Sequence, residues 1–130
     1  MTTGNLFQDA APPLKAERFD TLLKHRNLVI ERIVSSAATT PHEPLQSQDE
    51  WLLLARGTAK LEINGTLKKL EAGEYVFLPA GTPHSVTQTS EGALLLAVHL
   101  HCTRLTASPL HHERYRRQAI RPHRPCHRAP

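Results

Sequence analysis

Two side chains that could hold a metal ion or exchange protons stand at set distances from turn-forming residues in the middle of the chain. Glu50 is followed by six residues and then by Gly57. His84 closes the segment GEYVFLPAGTPH, in which a proline ends a strand and glycines permit tight turns. His84 is therefore expected to begin the next strand, where its imidazole can point into the interior. A carboxylate and an imidazole on neighbouring strands would make half of a site for a hard or borderline metal ion.

The sequence predicts that short strands position these two side chains. Residues 59–70 give the clearest pattern, because apolar and charged residues alternate around Asn64 and Gly65, the pair typical of a type I′ hairpin turn. Further strand patterns, each bounded by turn residues, cover residues 27–36, 50–57, 74–81, 84–90 and 92–102. No helical pattern separates these strands, which excludes an α/β fold. The sequence predicts an all-β, antiparallel sandwich or barrel.

The two ends of the chain differ from this middle part. Residues 1–26 read as a loose arm followed by a short amphipathic helix over 16–25, where apolar residues recur at intervals of three and four. Residues 27–104 form the predicted barrel. Residues 105–130 are rich in Arg, His and Pro and nearly empty of aliphatic side chains, so we expect this tail to be disordered.

The composition indicates which class of protein the chain belongs to. The chain has 130 residues, 39% of them hydrophobic and 22% charged, which suits one soluble domain with tails. No apolar run approaches 18 residues and no signal peptide is visible, so we expect no membrane association and a cytoplasmic protein. Two late cysteines, Cys102 and Cys126, do not make a disulfide framework.

The net charge of +4 is unevenly distributed. Residues 1–100 carry a net charge of −2, whereas residues 101–130 carry seven arginines against Glu113 and a net charge of +6. Such a tail could contact nucleic-acid phosphates. With a single aromatic residue and no fold to present it, the tail is predicted to be solvated, and we do not expect nucleic acid as a partner. Its histidines could also bind metal ions nonspecifically.

The spacings E-x6-G and G-x5-P-x-G-x2-H resemble the two sequence motifs of the cupin family. The resemblance covers about residues 27–101, and the text QDEW, GEYVFLPAGTPH and LAVHL is similar to small single-domain bacterial cupins of the phosphomannose-isomerase-like, RmlC-like group. The second motif departs only at its last position, where Gln88 replaces the preferred Asn. The resemblance implies an antiparallel jelly-roll β-barrel, with Glu50 beside His84. It also implies a small-molecule ligand, a divalent metal such as Mn, Fe, Ni or Zn, and a homodimer.

The first motif is altered. Its full form, H-x-H-x3-4-E-x6-G, places histidines at position 46 or 45 and at position 44 or 43, and none of these is histidine. Gln46 stands at the expected site of the second histidine, and His42 lies one or two residues too early. In one interpretation Gln46, Glu50 and His84 are metal ligands, with His42 or Glu43 as a fourth. In another the loop shifts and His42 supplies the missing ligand. In a third no metal binds, and Glu50 and His84 form an acid/base pair that contacts a small ligand.

The alternation of side chains along a strand does not determine which way His99 faces. His99 and His101 lie on the face opposite Leu94, Leu96, Val98 and Leu100. If these aliphatic residues fill the core, as we expect, the histidines face solvent. If the sheet packs the other way, His99 lines the interior near His84. We expect Asp49 to be an exposed strand start.

Three functions therefore remain open at this level. They are a metal-binding cupin that acts on or holds a small polar molecule, a metal-free binding or sensing module, and a nucleic-acid contact through the tail. The sequence does not decide whether the chain is an enzyme.

Overall fold

A computed structural model describes residues 1–37 and 46–102, which form eight antiparallel strands. The strands are β1 Glu17–His25, β2 Leu28–Ser35, β3 Asp49–Arg56, β4 Thr58–Ile63, β5 Thr66–Glu71, β6 Tyr75–Leu78, β7 His84–Thr89 and β8 Ala93–Leu100. They make one sheet in the order β1-β2-β8-β3-β6 and another in the order β5-β4-β7. The prediction of an all-β, jelly-roll fold is confirmed. Across these residues no helix is long and apolar enough to cross a membrane.

The predicted short helix over residues 16–25 is wrong, because this segment is strand β1. It pairs with β2 from Glu17 opposite Ser35 to His25 opposite Leu28, and the register shifts between Thr21 and Leu23. A bulge inserts one extra residue into a strand and interrupts its alternation. Phe19, Leu22 and Leu23 thereby acquire the intervals of a helix while lying in a strand.

The predicted facing of β8 is also wrong. Ala93, Leu95 and Ala97 belong to the core between the two sheets, together with Leu52, Leu54, Ala59, Leu61 and Leu70. Leu94 faces the other way and packs with Val34 and Ala10 in a second cluster on the outer side of the larger sheet. Since alternate strand residues face opposite sides, His99 shares the inner face with Leu95 and Ala97.

The second cluster exists because the N-terminal arm lies on the sheet rather than hanging free. The guanidinium group of Arg32 donates hydrogen bonds to the carbonyl oxygens of Leu6 and Gln8, at 2.8 and 2.7 Å. It also pairs with Asp20 at 2.9 Å. Hydrogen bonds from Arg18, and then from Arg32, lower the pKa of Asp20. The predicted loose arm is therefore anchored, whereas the predicted tail over 105–130 lies outside the described residues.

Two turns explain why Asn64, Gly65 and Gly57 occur at their positions in the sequence. Asn64 and Gly65 have φ values of 51° and 82° and join β4 to β5, as the predicted type I′ turn requires. Gly57, between β3 and β4, has a φ of 90°, and a Cβ there would lie 2.9 Å from the Cα of Ala93. Glycine is needed at position 57 for both reasons, because it permits the close approach of Ala93 to the β3–β4 connection.

Candidate functional site

Glu50 and His84 come together inside one end of the barrel, at the starts of β3 and β7. Both are buried, with exposed fractions over the whole residue of 5% and 7%. Oε1 of Glu50 lies 3.6 Å from Nε2 of His84. Nδ1 of His84 lies 2.9 Å from the carbonyl oxygen of Thr82, which can only accept a hydrogen bond. The neutral imidazole therefore carries its proton on Nδ1, which leaves Nε2 with a lone pair that can accept a hydrogen bond.

Gln46 occupies the position between these two groups. Its side-chain nitrogen lies 2.8 Å from Oε1 of Glu50 and 3.0 Å from Nε2 of His84. Because an amide NH2 group has two hydrogens, it can donate one to each of these acceptors. The three residues predicted as ligands form a hydrogen-bonded cluster, the Glu50–Gln46–His84 triad, with the amide nitrogen at its centre.

Backbone hydrogen bonds fix the two motifs to each other. The amide N–H of Gly81 donates to the carbonyl oxygen of Gln46 at 2.9 Å. The amide N–H of Ala80 donates to Oδ1 of Asp49 at 2.8 Å. The expectation that Asp49 is an exposed strand start is wrong, because its exposed fraction is only 8%. Asp49 instead holds the loop that leads into His84 against the start of β3.

A second set of polar side chains extends the triad toward β2. Nε2 of Gln48 donates to Oε1 of Gln46 at 2.8 Å and lies 3.3 Å from Nδ1 of His99. Nε2 of His99 lies 3.1 Å from Oε1 of Glu31. Of the two facings considered for His99, the structure has the one that brings it toward His84. We call Gln48, His99 and Glu31 the supporting chain.

Sequence reasoning missed Gln48 and Glu31. Glu31 lies two residues before the apolar Ile33 on the inner face of β2, so strand parity was the available signal. That signal was ambiguous, because β2 and β8 both carry apolar residues on each face. Gln48 precedes its strand and gave no periodic signal.

The charge of Glu50 affects the titration of His84. Hydrogen bonding to the Glu50 carboxylate raises the pKa of His84 above its ordinary value of 6.5, and burial opposes the rise. The Thr82 carbonyl adds to the rise. Protonation of Nε2 would place a ring N–H against the amide hydrogens of Gln46. The protonated ring therefore fits a Gln46 side-chain amide rotated by about 180°, so that the amide oxygen faces Nε2 of His84.

The donor set of the triad does not fit a metal ion in the arrangement observed. The amide group of Gln46 presents hydrogens, not a lone pair, to the space between Glu50 and His84. A metal would need the amide oxygen there, as oxygen is the amide atom that coordinates divalent cations. Among residues 1–37 and 46–102 no group of three His, Cys, Asp or Glu side chains could hold a metal ion. His42, predicted as a further ligand, lies outside these residues.

Comparison with known proteins identifies the family. Residues 30–100 match the family model described as a cupin domain, so the chain belongs to the cupin family. The chain is similar to a putative mannose-6-phosphate isomerase from Ralstonia eutropha, with 32% sequence identity and a TM-score of 0.73. The similarity covers 78% of this chain and 100% of the Ralstonia chain. The family resemblance of the two sequence motifs is thereby confirmed.

More distant solved structures share the fold. A protein from Thermus thermophilus is 20% identical, with a TM-score of 0.68 and coverage of 77% of this chain and 97% of that one. An RmlC-like cupin from Shewanella frigidimarina is 17% identical, with a TM-score of 0.60 and coverage of 65% and 76%. No curated protein matches the sequence significantly.

Proposed function

We propose that this cupin binds a small, uncharged, hydroxyl-bearing molecule directly at the Glu50–Gln46–His84 triad, without a resident metal. One observation carries the proposal: the NH2 group of Gln46 lies within hydrogen-bonding distance of both Glu50 and His84. In the full cupin motif a histidine lone pair would stand at this position. A hydrogen-bond donor there repels a cation and ties the carboxylate and the imidazole together as binding groups.

The charges around the triad support a neutral ligand with donor groups. The ionised carboxylate of Glu50 can accept about four hydrogen bonds, and the one from Gln46 fills only one of these positions. A buried carboxylate is stabilised by further donors, which hydroxyl groups supply. Neither the triad nor the supporting chain includes Lys or Arg, and the sequence of residues 38–45 contains none. In the triad and the supporting chain an anionic group would meet no Lys or Arg, the side chains that phosphate recognition normally uses.

The Ralstonia relative suggests a comparison of two ligands. Its name refers to a sugar phosphate, and a sugar ring offers the hydroxyl groups that Glu50 can accept. The phosphate has no basic side chain to meet within the triad. We therefore favour unphosphorylated sugars and polyols as the ligand class, with direct binding as the function.

The experiment is a binding titration of the full chain with neutral sugars and polyols, each paired with its phosphate ester. Mannose and mannose 6-phosphate form one such pair. We expect the neutral member to bind more tightly, and Glu50→Gln to weaken its binding by about tenfold, because a hydrogen bond to a charged acceptor contributes about 1.5 kcal/mol or more. Tighter binding of the phosphate esters, or neutral binding unchanged in Glu50→Gln, would overturn the proposal.

The homodimer and the cytoplasmic location do not depend on this site, and both stay predictions. The metal-binding alternative also stays a prediction; with Gln46 as a ligand, it requires the amide of Gln46 to be reversed. Gel filtration of the full chain tests the first of these. The titrations above test the site whichever oligomeric state is found.

A further inference from the structure

We propose that Gln48, itself oriented by His99, determines which end of the Gln46 amide faces Glu50 and His84, and thereby whether the site rejects or accepts a divalent cation. The inference deepens the proposed function and rests on it, since it explains how a cupin barrel keeps its ligand site free of metal. Gln48 and His99 are positioning residues in this account, because Gln48 acts on the triad through Gln46 and His99 acts through Gln48.

The order of donors and acceptors can be followed from Glu31. An ionised carboxylate only accepts hydrogen bonds, so Nε2 of neutral His99 must carry the proton directed at Oε1 of Glu31. Nδ1 of His99 is then an acceptor, and Gln48 must present its NH2 group to it. The same NH2 group faces the oxygen of Gln46. The nitrogen of Gln46 is consequently left to face the triad.

The opposite end of the network requires the same orientation. The carbonyl oxygen of Thr82 fixes the proton of neutral His84 on Nδ1, so Nε2 is an acceptor. Oε1 of Glu50 is an acceptor as well. Both need a donor from Gln46, and its nitrogen is the atom 2.8 and 3.0 Å away. For neutral His84 and neutral His99 the two ends agree, so hydrogen-bond chemistry gives the orientation of both amides in that protonation state.

Burial makes this orientation hard to change one residue at a time. The side chains of Glu50 and His84 are 7% and 8% exposed, and that of His99 is 12% exposed. Water has little access to replace a lost partner at these groups. Turning Gln46 alone would set its oxygen 2.8 Å from a carboxylate oxygen and its NH2 group against that of Gln48. Gln46 and Gln48 must therefore turn together.

Reversal of both amides would create a cation site from the same atoms. The oxygen of Gln46 would then take the place of its nitrogen, 2.8 Å from Oε1 of Glu50 and 3.0 Å from Nε2 of His84, which are 3.6 Å apart. Ligands about 2.1 Å from one ion lie about 3 Å from each other when adjacent. The spacing suits a divalent cation, and the polarity of the Gln46 and Gln48 amides opposes it.

The test replaces Gln48 with residues that do and do not enforce an orientation. In Gln48→Glu the carboxylate can only accept, so it should draw the NH2 group of Gln46 away from the triad. Ser47→Glu adds the same charge one position away, on an exposed residue, and is the matched control. Gln48→Met keeps the length of the side chain but removes both hydrogen-bonding functions. Each variant is made in the full chain, with and without His84→Ala to subtract metal bound by the basic tail.

Two readouts report on the site. Nitrogen NMR of metal-free protein gives the protonation of Nε2 in His84 and the environment of the Gln46 amide. Titration with Ni²⁺ gives the metal affinity that depends on His84. For Gln48→Glu we expect a higher pKa of His84 than in Ser47→Glu and Ni²⁺ binding tighter on the order of tenfold, the effect typical of residues that orient metal ligands. For Gln48→Met we expect the Gln46 amide signals to change.

Equal His84 titrations and equal Ni²⁺ affinities in Gln48→Glu and Ser47→Glu would overturn the inference, as would an unchanged Gln46 amide in Gln48→Met. The NMR measurements require no ligand. Failure to find a sugar ligand would therefore count against the proposed function and leave the role of Gln48 to be decided by the spectra.

Discussion

The side-chain nitrogen of Gln46 lies 3.0 Å from Nε2 of His84, where the full cupin motif would place a second histidine. At this position Gln46 donates a hydrogen bond, whereas the histidine of the full motif would present a lone pair. Oε1 of Glu50, 2.8 Å from the same nitrogen, completes the triad. The fold and the two motif spacings are retained, while the chemistry of the site is altered by one side chain and the residues that orient it.

Replacement of Gln46 by histidine should restore metal binding. In Gln46→His an imidazole would join Glu50 and His84, and imidazole binds divalent transition metals better than an amide does. We expect about one equivalent of Ni²⁺ or Zn²⁺ more than in the parent chain, measured by elemental analysis of the purified protein. The double variant Gln46→His, Glu50→Gln is the control and should lose that equivalent. No gain of metal would show that the geometry, not Gln46, prevents coordination.

Replacement of Glu50 by glutamine should lower the pKa of His84. Hydrogen bonding to the Glu50 carboxylate is the largest cause of the raised pKa, so its removal leaves burial to act in the opposite direction. A proton titration of His84 by NMR measures the change. Identical titrations of His84 in the parent chain and in Glu50→Gln would contradict the assignment.

The raised pKa of His84 also predicts how the free energy of unfolding depends on pH. Because the pKa of His84 is higher in the folded than in the unfolded state, protonation stabilises the folded protein. This stabilisation is fully present below the ordinary value of 6.5 and is lost as the pH rises through the higher folded pKa. Urea unfolding at a series of pH values should show the decline in the parent chain. A decline of the same size in Glu50→Gln would rule out Glu50 as its cause.

Asp49 should matter for stability although it lies outside the triad. Asp49→Ala leaves the part-buried N–H of Ala80 without its acceptor, and the loss of one such hydrogen bond costs about 1 kcal/mol in the free energy of unfolding. Asp49→Asn retains an oxygen at the same position and should cost less. Urea denaturation of both variants checks the order. Equal stability of the alanine variant and the parent chain would show that the contact does not hold the loop.

Gly57 and Gly73 offer a matched test of close packing. Both have positive φ values, of 90° and 96°. A Cβ at Gly57 would lie 2.9 Å from the Cα of Ala93, whereas a Cβ at Gly73 would meet no atom within 4 Å. Gly73→Ala should lower the free energy of unfolding by about 1–2 kcal/mol through backbone strain alone. Gly57→Ala should lower it by more. Equal losses would mean that the β3–β4 connection moves away from β8 at little cost.

Much of the fold could be predicted because turn residues and spacing determine it locally. Asn64 and Gly65 specify their hairpin through φ alone, and the residues before His84 end one strand and start the next. The facing of β8 could not be predicted, because both of its faces are apolar. Leu95 faces the barrel and Leu94 is covered by the N-terminal arm, an interaction between distant parts of the chain.

The three residues of the triad could be predicted from the sequence. The orientation of the Gln46 amide could not. Glu50 and His84 follow from the motif spacing, and Gln46 from its place in the altered first motif. Which atom of Gln46 faces them depends on Gln48 and on His99, which reaches the site from β8. Such an orientation is a property of the assembled barrel, and no local pattern in the sequence encodes it.

The most direct test of a metal-free triad is the metal content of the full chain, purified without an affinity tag and compared with His84→Ala and Glu50→Gln. The basic tail is common to all three proteins, so any metal that it binds cancels in the comparison. We predict equal metal content in the three proteins, before and after incubation with Mn²⁺, Fe²⁺, Ni²⁺ or Zn²⁺. About one equivalent in the parent chain that is lost in both variants would contradict the account.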